Sequence, residues 1–352
     1  MQASADLSAT KRLLEWYDAS ARDLPWRAPP GAPPPDPYRV WLSEVMLQQT
    51  TVAAVAPRYA RFLERWPTVT ALAAADDADV MAEWAGLGYY RRERNLLACA
   101  REVAARGGFP DTEAGLAALP GIGSYTAAAI ASIAFGRRAV VVDANVERVV
   151  ARVFAIDRPL PAGRAEIRSA AGLLTPEDRA GDFAQAMMDL GATICSPRAP
   201  RCLACPLRAD CRGHRLGHPE RFPVKAAKPL RPVRRGRAYW IEHGGAVWLV
   251  RRAPEGMLGG MRALPDDGWS ARGDGSQTEP LAADWRPLGH IQHSFTHFHL
   301  EMEVLLCQPG SADGVGVGLG GGEWWPVDRL AAAGLPTLFA KAARHVLAAP
   351  GR

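Results

Sequence analysis

Two side-chain acids and four thiols are the residues of this 352-residue chain whose types and spacing could do chemistry. Glu44 stands in Trp41-Leu42-Ser43-Glu44-Val45-Met46-Leu47-Gln48-Gln49-Thr50, among apolar neighbours, and Asp143 ends the apolar run Val140-Val141-Val142. Taken alone, Glu44 is a solvated or ion-paired helix residue and Asp143 a helix cap. As a pair they can cleave a glycosidic bond, which needs one neutral carboxyl to give a proton and one ionised carboxylate to face charge developing on the sugar. Cys195, Cys202, Cys205 and Cys211 fall as C-x6-C-x2-C-x5-C within seventeen residues. Four thiolates so close can enclose one soft metal centre. Zinc and a four-iron cluster both accept four cysteines, and spacing leaves both open. Cys99 and Cys307 lie in helix and strand patterns and read as packing residues.

Between the two acids lies Leu119-Pro120-Gly121-Ile122-Gly123-Ser124-Tyr125, entering an alanine-rich helix. Gly121 and Gly123, one residue apart, suit a tight turn whose backbone N–H groups face an anion such as a phosphate. By itself this is an ordinary glycine turn between core helices. Its weight comes from Asp143, about twenty residues further on.

The elements that must hold these groups follow from the pattern. At 352 residues, two domains are expected. Residues 7–22 place Leu13, Leu14, Trp16 and Tyr17 at helical spacing, and 28–37 is a Pro-rich loop. The spacing predicts a helix over 38–56, then helices over 58–65, 77–85, 91–106 and 112–118. No strand alternation is found before about residue 212, so the first domain is read as all helical. Residues 212–236 are rich in Pro, Arg and Lys and poor in apolar residues, and read as an exposed linker. Beyond it, 238–242 and 246–250 form two strands joined by a Gly turn, 298–306 another, 323–325 a last one, and 335–347 a closing helix. The second domain is therefore mixed α and β, with a Gly-rich loop at 314–322. The assignment is 1–212 helical domain, 213–236 linker and 237–350 second domain.

A formal net charge of +5, from 42 basic and 37 acidic residues, permits a nucleic-acid partner without demanding one. The N-terminal segment has no basic stretch followed by an apolar core, and the most apolar stretch, 126–142, is cut by Arg137 and Arg138. A cytosolic protein without a membrane span is expected. In that compartment thiols stay reduced, so the cysteines point to metal, catalysis or packing before disulfides.

Taken together, the glycine turn with Asp143, the segment 41–50, Gly86-Leu87-Gly88-Tyr89-Tyr90 and Phe183-Ala184-Gln185-Ala186-Met187-Met188-Asp189-Leu190-Gly191 resemble, in order and spacing, the MutY family of adenine DNA glycosylases. The likeness runs from about Leu13 to Cys211 within the helix-hairpin-helix superfamily. It implies removal of adenine mispaired with 8-oxoguanine or guanine in duplex DNA, by a monomer. It implies Glu44 as proton donor to adenine N7 and later acceptor from water, Asp143 as the ionised partner of an oxocarbenium-like sugar, and Asn145 and Tyr125 as hydrogen-bonding supports. It tips the cysteine loop to a [4Fe-4S] cluster. Arg198, Arg201, Arg208 and Arg212 surround the ligands, so this loop is also expected to meet DNA phosphates. Gln49 and Tyr89 match residues pushed into the base stack, while Arg22, Trp26 and Gln185 match residues lining the adenine pocket. Tyr125 stands where the endonuclease III branch carries a lysine, so hydrolytic release with little strand scission is implied. Ala144 and Glu147 depart from the Gly and the basic residue usual in the family.

Residues from about 233 resemble, more weakly, the MutT-like (Nudix-fold) domain appended in that family. The nearest Nudix-type loop, 255–262, is not followed by a helix with clustered glutamates, so a Mg²⁺ site for pyrophosphate hydrolysis is not expected. His293-Ser294-Phe295-Thr296-His297-Phe298 is similar to the loop that contacts 8-oxoguanine, which implicates Thr296 and His297. His290, His293, His297 and His299 could also suggest a metal cluster, but the family binds none there. Two other readings stand beside the first: a bifunctional endonuclease III-like glycosylase and lyase, opposed by Tyr125, and a non-catalytic lesion-binding protein, opposed by the retention of both acids.

Overall fold

A computed structural model of the chain describes residues 2–84, 87, 90–226, 230–253, 256–311 and 321–350. It divides into two compact units, Met1–Ala227 and Lys228–Arg352.

The first unit is helical: α1 (Gln2–Ser20), α2 (Pro37–Leu47), α3 (Val52–Arg65), α4 (Val69–Ala73), α5 (Asp77–Trp84), α6 (Tyr90–Arg106), α7 (Glu113–Ala117), α8 (Ser124–Phe135), α9 (Ala144–Phe154), α10 (Arg164–Leu174), α11 (Ala180–Thr193) and the short α12 (Arg212–Arg215). Two apolar clusters fill it. One gathers Trp41, Phe62, Trp84 and Leu97 around α2 to α8, and the other gathers Leu13, Tyr17, Val150 and Leu190 from α1 and α9 to α11. Helix α8 is apolar on every side, with residues from Thr126 to Ala134 buried, as a central helix must be. No described helix is long and apolar enough to cross a membrane.

The single helix expected over 38–56 is two. Helix α2 stops at Leu47, Gln49 takes a left-handed φ of 56°, and Thr51 caps α3 by accepting the N–H of Ala54. Apolar periodicity carries across this break because both helices feed one core, and the cap signal at Thr51 was the clue. Pro57 lies inside α3, on its exposed side, and α4 adds a helix that periodicity had left out.

The linker expected over 213–236 is largely built into the two units. Phe222 is buried in the second cluster, its carbonyl accepts from Arg152 Nε, and Leu160 N–H bonds to Val224 O at 2.9 Å. The segment is basic and Pro-rich, yet its buried Phe222 fixes it to the helical unit.

The second unit holds β1 (Val233–His243), β2 (Ala246–Arg251), β3 (Arg262–Ala263), β4 (Arg286–Ser294), β5 (His299–Cys307), β6 (Gly322–Pro326) and a last helix α13 (Thr337–Leu347). The strand order is β3-β2-β1-β5-β4, with β6 also on β2. Strand β1 runs parallel to β5 over nine pairs from Val233↔His299 to Ile241↔Cys307, and β4 and β5 form an antiparallel hairpin ending at Ser294↔His299. Strand β4 escaped the sequence pattern because its burial does not alternate cleanly. One face packs on α13 through Leu338, Phe339, Ala342 and Val346. Glu255 of the Nudix-type loop and residues 314–320 of the Gly-rich loop lie outside the described residues.

Candidate active site

A cavity of about 1010 Å³, part of it open to solvent, lies in the helical unit and brings together Arg22, Trp26, Glu44, Tyr125, Asp143, Asn145 and Gln185. Arg22 and Trp26 come from the segment between α1 and α2, Asp143 and Asn145 from the start of α9, and Gln185 from α11. Glu44 comes from the buried face of α2, which Asp36 caps by accepting the N–H groups of Tyr38 and Arg39. Tyr125 sits in the first turn of α8, and Asp143 is the N-cap of α9.

Glu44 is only 8% exposed, and the Tyr125 hydroxyl donates to its Oε2 at 2.8 Å. Burial pushes its carboxyl up to about 7, and the nearby Asp143 charge adds to this, while the Tyr125 hydrogen bond and the Arg27 cation pull the other way. Burial and the neighbouring Glu44 raise the Tyr125 phenol well above its ordinary value, so it stays a donor.

Asp143 is treated differently. Its Oδ1 accepts the N–H of Val146 at 2.7 Å and its Oδ2 accepts from Asn145 Nδ2 at 3.0 Å. Burial raises its carboxyl, and these two donors with the Arg148 cation favour the charged form. The site therefore presents one desolvated acid with a single phenolic donor and one partly buried acid at a helix N-terminus, where negative charge is stabilised.

Arg27, which sequence reasoning passed over, lines the same cavity. Its side chain is 7% exposed and forks onto the fully buried Asp189, at 2.7 and 2.9 Å, while Arg22 donates to Asp189 through Nε at 2.6 Å. Burial opposes ionisation of Asp189, yet the Arg27 and Arg22 contacts hold it below the usual carboxylate range. Such a bidentate buried pair fixes both arginines at the cavity wall. Gln185, 7% exposed, donates Nε2 to Gly181 O at 3.3 Å.

Arg148 was missed too. It donates Nη2 to Asn145 Oδ1 at 2.8 Å and to Gly191 O at 2.7 Å, and Nε to Cys195 O at 2.7 Å. Its spacing from Arg152 along an apolar helix face was a signal, since an arginine at such a position needs acceptors. Gly191 permits the contact: a Cβ there would come within 2.6 Å of Asn145 Cβ.

The glycine turn precedes α8. Gly121 has φ +73°, a conformation that other residues rarely take, and Gly123 caps α8 without a side-chain hydrogen bond. Gly121, Gly123 and Ser124 are all exposed. Glu147 pairs with Arg164 at 3.1 Å. Gln49 is exposed and does not line the cavity, whereas its neighbour Gln48 does, with Nε2 directed at Thr126 Oγ1. Tyr89 lies outside the described residues.

Cys195, Cys202, Cys205 and Cys211 line a second cavity with Arg152 and His214. None is in a disulfide, and Arg152 Nη1 donates to Cys195 Sγ at 3.3 Å. Among the described residues no three His, Cys, Asp or Glu side chains converge as a single-ion site. Arg198, Arg201, Arg208 and Arg212 are exposed around the loop.

In the second unit, Thr296 and His297 are exposed at the tip between β4 and β5. The tip is anchored from below. Phe295 stacks on buried Phe298 at 4.7 Å, Trp269 lies 5.7 Å from Phe295, and Phe295 N–H bonds to Phe298 O at 2.9 Å. His293 packs edge-on against Phe295, and His299 Nδ1 meets Ser294 Oγ at 2.8 Å.

Comparison with known proteins gives two domain matches: the HhH-GPD superfamily of base excision DNA repair proteins over residues 42–171, and a NUDIX domain over residues 237–345. An adenine DNA glycosylase of Mycolicibacterium smegmatis is 44% identical over 209 residues, which cover 59% of this chain and 70% of that protein. One of Arabidopsis thaliana is 39% identical over 298 residues, 72% of this chain, which spans 46% of the plant protein's length. Among solved structures, a thermostable thymine-DNA glycosylase matches 61% of this chain and 97% of its own at 28% identity, with a TM-score of 0.54.

Proposed function

The chain belongs to the adenine DNA glycosylase family, and from that premise we propose that it hydrolyses the N-glycosidic bond of adenine mispaired with 8-oxoguanine, or with guanine, in duplex DNA. The observation that carries this reading is the unlike pair of acids in one cavity, Glu44 with its carboxyl near neutrality and Asp143 held by N–H donors.

Adenine leaves poorly as an anion, so Glu44 donates a proton to N7 as the bond to C1′ lengthens, and Tyr125 holds the donor in place. Asp143 carries the counter-charge to the oxocarbenium-like sugar, or adds to C1′ as in retaining glycosidases. Water then attacks C1′ and gives its proton to Glu44, which restores the enzyme. Trp26, Arg22 and Gln185 line the pocket for the extruded base, Gln49 and Tyr89 fill the gap it leaves, and the amides around Gly121 and Gly123 take a backbone phosphate. A phenol at 125 forms no Schiff base, so release is hydrolytic and the abasic strand is left intact. The 1–212 and 237–350 regions divide the work, Thr296 and His297 reading 8-oxoguanine, and the protein acts as a monomer.

The cysteine loop fits a [4Fe-4S] cluster held by Cys195, Cys202, Cys205 and Cys211. Four free thiols surround a cavity rather than meeting at one point, as a centre several ångströms across requires. When bound, it supplies a rigid brace for the loop carrying Arg198, Arg201, Arg208 and Arg212. Iron and acid-labile sulfide in equal amounts are expected in the purified protein, and stoichiometric zinc would overturn this assignment.

The reading is tested with labelled duplexes containing adenine opposite 8-oxoguanine or an oxidised pyrimidine opposite guanine. Breakage of the first only after alkali is expected. Breakage of the second without alkali would instead indicate a lyase, and no breakage of either a non-catalytic binder.

A further inference from the structure

Helix α2, which carries Glu44, ends at Leu47, and the last carbonyls of a helix have no partner within it. A cation is favoured at such an end, yet the last turn of α2 contains no basic residue. The cation comes from α6. Arg92 donates through Nη1 to the carbonyls of Val45 and Met46, each at 3.2 Å, and to that of Gln48. Through Nη2 it donates to Leu87 O at 3.1 Å and to Thr50 Oγ1 at 3.2 Å, and its guanidinium carbon lies 5.4 Å from the centre of the Trp84 ring.

Between two of those acceptors sits Gln49, exposed and left-handed with φ 56°. A residue with a Cβ is strained there and persists only where its surroundings hold it. Arg92 grips the carbonyl before Gln49 and the hydroxyl after it, so one guanidinium spans the strained residue from both sides. Two amino groups held in one plane meet these acceptors together, and a lysine ammonium does not provide them.

We propose that Arg92 is a positioning residue that keeps the 48–50 turn in its strained form, so that Gln49 stands ready to replace the extruded adenine in the base stack. The inference rests on the glycosylase reading and adds to it a device for extrusion rather than for bond cleavage.

The full-length protein carrying Arg92→Lys or Arg92→Met is compared with wild type on two duplexes: adenine paired with 8-oxoguanine, and adenine opposite an abasic site, which is already unpaired. Single-turnover release from the paired adenine is expected to slow about tenfold or more, with less than roughly threefold change on the unpaired one. The fluorescence rise of 2-aminopurine at the target position should slow in parallel. Gln49→Gly removes both the wedge and the strain, so adding Arg92→Lys to it should cost nothing further. Equal loss on both duplexes, additive losses in the double variant, or wild-type rates in both Arg92 variants would overturn the proposal. A wild type that releases adenine from neither duplex would instead overturn the glycosylase reading on which it stands.

Discussion

The acid pair of the helical unit and the hairpin tip of the second unit solve opposite problems. Glu44 must be withdrawn from water to hold a proton near neutrality, and α2, α8 and α9 enclose it. On the proposed reading Thr296 and His297 meet an external base, and the tip holds them out on a base of stacked aromatics. In the first region the cost of burial is converted into reactivity. In the second, rigidity comes from rings below the surface while the polar groups stay wet. On the proposed function, a chemical step and a recognition step thus place contrary demands on solvent exposure, and two separate folds answer them.

The largest effect that would break this contrast is at Glu44. Glu44→Gln should lower single-turnover release about 10³-fold or more while leaving DNA affinity nearly unchanged, because an amide has no proton to give. Near-normal release would remove Glu44 from the mechanism. The same carboxyl sets a pH dependence. Its folded value lies above its ordinary one, so its contribution to stability is fully present below about pH 4.5 and is lost as pH rises towards 7. Release should fall about tenfold per unit above pH 7, and Glu44→Gln should raise the melting temperature more at pH 8 than at pH 5. A pH-independent rate from 5 to 9, or an equal thermal shift at both pH values, would contradict the buried-acid assignment.

A smaller effect is expected at the tip. Replacing Thr296 and His297 together by Ala should narrow the preference for 8-oxoguanine over guanine by about tenfold, with little change in release from the guanine mispair. An unchanged ratio would take recognition away from this loop. Smaller still, Phe295→Ala should keep both polar groups and loosen their support, weakening the preference about threefold. If it equals the double replacement, anchoring matters as much as contact.

Much of the helical unit could be read from residues because its chemistry is local. The carboxyls, the glycine turn and the cysteine spacing each announce a requirement that few residue types meet. Long-range partners were not legible. Nothing near Arg27 in sequence points to Asp189, 162 positions away, and nothing near Arg92 points to the end of α2. The break at 48–51 hid behind continuous apolar periodicity, and Phe222 was lost within a basic stretch whose average composition says linker. In the second unit, strands with one apolar face were visible, whereas β4 was not, because its pattern is set by its neighbours in the sheet.

Gly191 turns a position of no evident chemistry into a sensitive one. Every replacement of this glycine by another amino acid installs at least one more carbon, and the atom it would strike belongs to the side chain whose amide steadies Asp143. Natural variants at 191 should therefore show normal abundance with poor repair more often than outright misfolding, and a survey of inactive alleles would do well to look on α11 as closely as among the acids themselves.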